Sequence, residues 1–280
     1  MTLSLITING TGSYPTDPTN FPSMVALALL PSGEQIFADK LDGLQTTPII
    51  NWLPLTYPML TYPMGASVDT GVANLIALIK ATPGKIGVLA YSQGALVWAT
   101  VWRDHILNPD GELHDRLGDI VLTICWGNPM RAPGKQNGNV NAGWALNPGG
   151  GISGTDDLLP SQVPDWWWDF TDPNDLYTDS PGISVSADGK TILLTPTSED
   201  EMLIYRLIVT TNFGGTLEGL LGLVEQAVEQ LKQPLEEVIG IATAIWNGLT
   251  FAAAGPNAGH YTYNVQPAIV YVQQVALQYL

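Results

Sequence analysis

A short, mostly apolar run at residues 85–91 passes through a single serine, Ser92, into a second and longer apolar run at residues 93–107. The first run is too short for a helix, and Pro83-Gly84 separates it from what precedes, so it reads as a strand buried on both faces, the kind found in parallel sheets. The second is long enough for a helix and stops at Asn108-Pro109. A chain that turns this sharply from strand to helix strains the backbone of the turning residue and leaves no room for bulk two positions to either side. Ala90 and Gly94 occupy those two positions. The same alternation extends outward. Residues 66–82 place Val68, Val72, Leu75, Ile76 and Ile79 near helical spacing, residues 119–126 form another buried apolar run, and residues 3–9 and 49–55 supply two more strand candidates. Strands alternating with helices in this way predict an α/β fold with a central, mostly parallel sheet.

Beyond Trp126 the pattern changes. Residues 127–165 carry Gly-Asn-Pro, Pro-Gly-Lys and Asn-Pro-Gly-Gly-Gly clusters and are expected to be largely loop, and a further turn-rich stretch follows Trp166-Trp167-Trp168 up to about residue 197. From Ser198-Glu199-Asp200-Glu201, a helix start with acidic residues in its first turn, the chain is expected to be helical to about residue 254, with breaks at Gly214-Gly215 and Pro234. Residues 217–245 are amphipathic. The expected organisation is therefore a catalytic unit formed by residues 1–197 and 255–280, carrying a helical linker or lid at residues 198–254; ordinary surface helices of the main unit are the alternative.

Charge and cysteine content narrow the function. With 26 acidic residues against 10 basic, the net charge of −16 repels phosphate backbones and argues against nucleic-acid partners. An uncharged lipid or ester is not disfavoured in this way. The one cysteine, Cys125, lies in the apolar run 119–126 and reads as a buried small hydrophobe. The start, Met1-Thr2-Leu3-Ser4-Leu5-Ile6, shows no basic region, long apolar stretch or cleavage site, and no segment has the apolar length of a membrane span. Synthesis in a cytoplasm, with export by some route other than an N-terminal signal, is the expectation.

Ser92 is the candidate nucleophile, since the turn presents its hydroxyl above the sheet at a helix N-terminus. A serine hydroxyl needs a base to take its proton. Three histidines are available. His105 lies 13 residues along the same helix, about 20 Å away, and His114 follows in the connection at the remote end. Both are expected at the surface. His260, in Ala258-Gly259-His260-Tyr261, is left as the base, and it satisfies the order serine, acid, histidine. The acid is expected between them, and Asp165, Asp169, Asp172, Asp175 and Asp179 all crowd the right region, with no chemical ground for choosing among them. An oxyanion would be held by the backbone N–H of Gln93 and a second donor from another strand end, for which the small turn Gly10-Thr11-Gly12 is suited. This chemistry requires neither metal nor cofactor.

Ala90-Tyr91-Ser92-Gln93-Gly94-Ala95 resembles the elbow of cutinases and of the mycobacteriophage lysin B esterases. Four other runs resemble lysin B in particular: Asn9-Gly10-Thr11-Gly12, Trp126-Gly127-Asn128-Pro129-Met130-Arg131, Asp172-Pro173-Asn174-Asp175-Leu176-Tyr177, and Gly259-His260 with its following aromatic. The resemblance spans residues 3–260. It implies an α/β-hydrolase, cutinase-like fold with a helical insertion before the histidine, and Asp175 as the acid. In the expected mechanism the Gln93 and Thr11 N–H groups hold the oxyanion. It also implies hydrolysis of the ester joining mycolic acids to arabinogalactan, by a phage protein made in the host cytoplasm and released at lysis. Asn174 stands where that family usually has glycine, and no extra peptidoglycan-binding region precedes the first strand. A lipase or cutinase acting on a different ester, and a non-catalytic virion protein keeping the fold, are the alternatives. Trp166-Trp167-Trp168 could line an acyl groove or pack in the core.

Overall fold

The computed structural model describes residues 2–30, 48–249 and 258–280. Five parallel strands form the central sheet in the order β2-β1-β3-β4-β5: β1 (Leu3–Ile8), β2 (Ile50–Pro54), β3 (Ile86–Tyr91), β4 (Ile120–Trp126) and β5 (Trp167–Phe170). Four of these lie where the sequence placed them. The fifth does not: the tryptophan cluster, expected at the edge of a loop, runs as a parallel strand beside β4 from Thr123 to Trp126. A strand of four residues has no periodicity to read, which is why its sequence gave no strand signal.

The apolar runs are continuous because each strand is covered on both faces. Ile6, Ile8, Val88 and Ala90 face one core, while Leu3, Leu5, Leu89 and Tyr91 face the other. The first face is covered by α2 (Met64–Ala81) and α3 (Gln93–Val101), which continues as a π-helical segment, Trp102–Leu107. The opposite face is covered by α1 (Phe21–Leu29) and α8 (Gln266–Ala276), neither of which the sequence pattern singled out. Within the loop-rich middle a short helix, α4 (Asn137–Ala142), and two 3-10 turns, Gly154–Asp156 and Pro160–Gln162, form, followed by a small antiparallel pair, β6 (Ile183–Val185) and β7 (Ile192–Leu194).

The helical stretch begins two residues earlier than its acidic signal suggested, at Pro196. Thr195 caps it, its side chain accepting from Ser198 N–H while the Ser198 hydroxyl receives the Thr195 N–H. Three helices follow: α5 (Pro196–Thr210), α6 (Leu217–Gln226) and α7 (Leu235–Leu249). The breaks fall at Gly214-Gly215, both at positive φ, and at Pro234, as the sequence indicated. Residues 250–254 of the expected insertion lie outside the described residues. The buried faces of these helices, with Ile204, Ile208, Leu220, Val224, Val238, Ala242 and Ile245, belong to the same apolar cluster as α2 and α3.

Trp166-Trp167-Trp168 are packing residues. Trp167 is wholly buried, with its ring centroid 5.9 Å from Trp98 and 5.6 Å from Trp102. Trp166 meets Trp102 edge-on, and Trp168 stacks on Tyr271 of α8 at 3.9 Å. Alternate residues of β5 thus serve opposite faces, and the acyl-groove reading of these side chains is set aside. Trp167→Ala is expected to cost about 3–5 kcal/mol of stability through the cavity it leaves. Urea denaturation measures this directly, and a loss well under 1 kcal/mol would contradict the packing described.

Candidate active site

The turn at Ser92 has the strained form expected. Ser92 sits at φ 55° and ψ −120° between β3 and α3, and its N–H is held by the Trp126 carbonyl at 3.1 Å. Among the described residues only Met59 and Ser92 are non-glycine residues at positive φ. Such a residue costs about 1–3 kcal/mol and persists only where its surroundings over-determine it. Gly94 shows how tight those surroundings are: a Cβ there would collide with the Ile8 carbonyl of β1. Any larger residue would push α3, and the serine with it, off the sheet.

The structure brings Ser92, His260 and Asp175 together. His260 Nε2 lies 2.9 Å from Ser92 Oγ, and His260 Nδ1 lies 2.8 Å from Asp175 Oδ2. Asp175 is wholly buried, and His260 and Ser92 are only 3% and 8% exposed. Nδ1 carries the proton in the arrangement that leaves Nε2 free to accept from the serine. The other Asp175 oxygen, Oδ1, accepts the Tyr177 N–H at 3.1 Å. Gly127 makes room for the imidazole. It sits at φ +54°, and a Cβ on it would fall 2.6 Å from His260 Nδ1. The Tyr91 hydroxyl donates to the His260 carbonyl at 2.8 Å, and the rings of Tyr91 and Tyr177 lie 5.0 and 4.9 Å from the imidazole.

The other sequence candidates are occupied elsewhere. Asp165 is exposed, and Asp172 accepts from the N–H and side chain of Asn174. Asp179 pairs with the buried guanidinium of Arg131 at 3.4 Å. Asp169 is buried on β5, accepting from Asn128 at 3.0 Å and from the Trp167 indole at 2.8 Å, and burial pushes its carboxyl up to about 6. His105 lies 3.6 Å from Glu112 and His114 contacts the Ile106 carbonyl, both remote from Ser92 as expected. Cys125 is fully buried on β4, where burial raises its thiol well above the ordinary range. Among the described residues no group of three or more His, Cys, Asp or Glu side chains is placed to hold a metal ion.

The turn after β1 lies against the serine. A Cβ on Gly10 would be 3.1 Å from Ser92 Cβ. The backbone N–H groups of Thr11 and Gln93, both residues being buried, find no acceptor among the described residues, which leaves them to receive an incoming oxygen. Sequence reasoning missed the side chains that fix this turn. Gly10 N–H is held by Asn20 Oδ1 at 3.0 Å, Gly12 N–H by the Met59 carbonyl at 2.8 Å, and the Asn9 carbonyl accepts from Tyr57 at 2.6 Å. The Gln93 amide donates to the Leu60 carbonyl at 2.8 Å and reaches Thr11 Oγ1 at 3.3 Å, while its oxygen accepts from Ser67 at 2.8 Å. These partners lie 10 to 82 residues apart in the chain, so no local pattern marks them.

No protein-family model matches the chain. Endolysin B of Mycobacterium phage D29 is 30% identical over 243 residues, spanning 81% of this chain and 87% of that protein. Endolysin B of Mycobacterium phage L5 is 30% identical over 242 residues, with the same coverage of both. The crystal structure of lysin B from mycobacteriophage D29 aligns with a TM-score of 0.66 at 29% identity, covering 98% of this chain and 100% of that one.

Two outcomes follow from this geometry. Gly127→Ala should displace the imidazole and slow labelling of Ser92 by a serine-directed fluorophosphonate about 100-fold, without unfolding the chain; labelling at the wild-type rate would show that the ring has room to spare. For Asp169, the native carboxyl holds its proton to higher pH than in the unfolded chain. Its stabilising contribution is therefore complete below about 3.8 and is lost as pH rises through about 6. Asp169→Asn should gain on the wild type across that window by about 1.4 kcal/mol per pH unit. Parallel stability–pH curves for the two proteins would refute the burial-driven shift.

Proposed function

The chain belongs to the endolysin B family, and from this membership and the geometry around Ser92 we propose that it is a serine esterase cleaving the ester between mycolic acids and arabinogalactan during phage lysis. The α/β-hydrolase fold is that of lysin B. The observation that carries the reading is the unbroken run of hydrogen bonds from Ser92 Oγ through His260 to Asp175, starting at a residue with positive φ. A serine, an imidazole and a buried carboxylate in that order provide nucleophile, base and orienting group.

In the proposed reaction His260 Nε2 takes the proton of Ser92 Oγ as that oxygen attacks the ester carbonyl. The Gln93 and Thr11 N–H groups hold the negative oxygen of the tetrahedral intermediate. The intermediate collapses with loss of the sugar alcohol, which leaves with the proton from His260. Water, deprotonated in turn by His260, then hydrolyses the acyl-enzyme and frees the mycolic acid. Asp175 keeps the imidazole in the tautomer that exposes Nε2 and stabilises its charged form. The rings of Tyr91 and Tyr177 flank the imidazole as it becomes a cation, an arrangement that lowers the energy of the charged state. A neutral sugar ester suits a protein of net charge −16, which would repel an anionic polymer. Synthesis in the host cytoplasm and release to the envelope at lysis complete the proposal.

The test compares wild type with Ser92→Ala and Asp175→Asn on p-nitrophenyl butyrate and on purified mycolyl-arabinogalactan. Ser92→Ala should lose about a million-fold in kcat and Asp175→Asn about 10,000-fold, each remaining folded, with free mycolic acid released only by the wild type. Cleavage of the small ester without release of mycolic acid would assign a lipase or cutinase-type substrate instead. Equal rates for Ser92→Ala and wild type would remove Ser92 from the mechanism.

A further inference from the structure

The Asp175 carboxylate serves a second donor that the triad does not require. The Tyr263 hydroxyl lies 2.6 Å from Oδ2, the same oxygen that receives His260 Nδ1 at 2.8 Å. We propose that Tyr263 is a positioning residue for the reaction: by donating to Asp175 Oδ2 it limits how strongly the carboxylate holds the protonated His260, and so sets the pH at which the base becomes competent. The proposal rests on the serine-esterase reading above.

The geometry makes the two donors competitors. Asp175 is wholly buried, so protein groups take the place of its hydration shell. Its charge is divided among the imidazole and the Tyr263 hydroxyl on Oδ2 and the Tyr177 N–H on Oδ1. Hydrogen bonds to a carboxylate stabilise its negative charge, and each strong donor reduces what the others draw from it. Tyr263 remains a donor at working pH, because burial first and then the Asp175 charge push its hydroxyl well above the ordinary range. The ring is fixed from the α1 side, edge-on to Phe21 at 5.6 Å, with Phe21 in turn edge-on to Tyr91 at 4.8 Å. Tyr263 follows His260 by three residues, so one short segment ahead of α8 supplies both the base and the group that tempers its partner.

Other charged or titratable groups face this pair. Asp172, Tyr177 and Asp179 lie on the same loop as Asp175, and Tyr261 lies beside His260, where burial and then the Asp175 charge raise its hydroxyl to about 12. Tyr91 approaches from β3, and the buried Arg131 acts from the segment after β4. Tyr263→Phe leaves all of these in place and removes one oxygen.

The pH dependence of kcat/KM on p-nitrophenyl butyrate provides the test, for wild type, Ser92→Ala, Tyr263→Phe and protein carrying 3-fluorotyrosine at position 263. Without the hydroxyl, Asp175 holds the imidazolium more tightly, so the acid limb of Tyr263→Phe should move up by roughly half to one pH unit. Its kcat should fall about ten-fold while KM stays within about two-fold. Fluorination makes the phenol a stronger donor and should move the limb down, a reversal that loss of packing cannot produce. If Tyr263→Phe does not fold, the fluorinated protein carries the test alone: a downward shift supports the proposal and an unchanged limb overturns it. A Tyr263→Phe profile that superimposes on wild type, or shifts of the same sign in both proteins, also overturns it. Where Ser92→Ala is inactive, such a result removes the role of Tyr263 and leaves the serine-esterase reading standing. Ser92→Ala with wild-type activity brings down both.

Discussion

The close approach of α3 to β1 governs the geometry of the whole site. At Gly94 the helix lies against the Ile8 carbonyl with no space for a side chain, and the turn that achieves this places Ser92 at positive φ. From that contact the rest follows. The hydroxyl is lifted above the strand ends, the start of α3 points at the reacting position, and the turn after β1 is carried alongside, with Gly10 against Ser92. Among the described residues two backbone N–H groups from separate segments, Gln93 and Thr11, find no acceptor. The proposed oxyanion site needs no dedicated side chain, only a backbone held still by the Asn20, Tyr57 and Met59 contacts around it.

The proposed base and acid arrive on loops, and loops require restraint. His260 is on a single turn, Ala258–Tyr261, just ahead of α8, and Asp175 is in the segment after β5. Burial among tyrosines provides the restraint. Tyr91 grips the backbone of His260, Tyr263 grips Asp175, and Tyr177 lies over the imidazole while its own hydroxyl donates to the Ile245 carbonyl of α7 at 2.7 Å. That last bond ties the helical stretch to the base. The three helices α5 to α7 share the core of α2 and α3, and through Tyr177 they also brace the residue packed against His260.

The tryptophans show composition serving structure. Trp98, Trp102 and Trp167 fill one side of the sheet, and Trp126 stacks on Phe170 on the other. Large planar side chains suit a short edge strand such as β5, which has only four residues with which to anchor itself to both cores. The buried Asp169 beside them accepts hydrogen bonds from Asn128 and from the Trp167 indole.

By itself the sequence determined the α/β alternation and the turn at Ser92, and it singled out His260 as the histidine to meet the serine, because each depends on local periodicity, on sterics within a few residues, or on there being only three histidines to choose from. It also marked the helical breaks at Gly214-Gly215 and Pro234, whose effects on the backbone are intrinsic to those residues. It left five aspartates unresolved by chemistry, and only the resemblance to lysin B singled out Asp175. Tertiary structure alone shows that Asp175 meets the imidazole while Asp169, a few residues away and equally buried, faces Asn128 and Trp167. It also decided that residues 167–170 form a strand, and that Tyr57, Tyr177 and Tyr263 brace the site. The reason is physical: a hydrogen bond between residues tens of positions apart leaves no periodicity in either segment, and a four-residue strand draws its stability from the neighbours on both faces rather than from its own sequence.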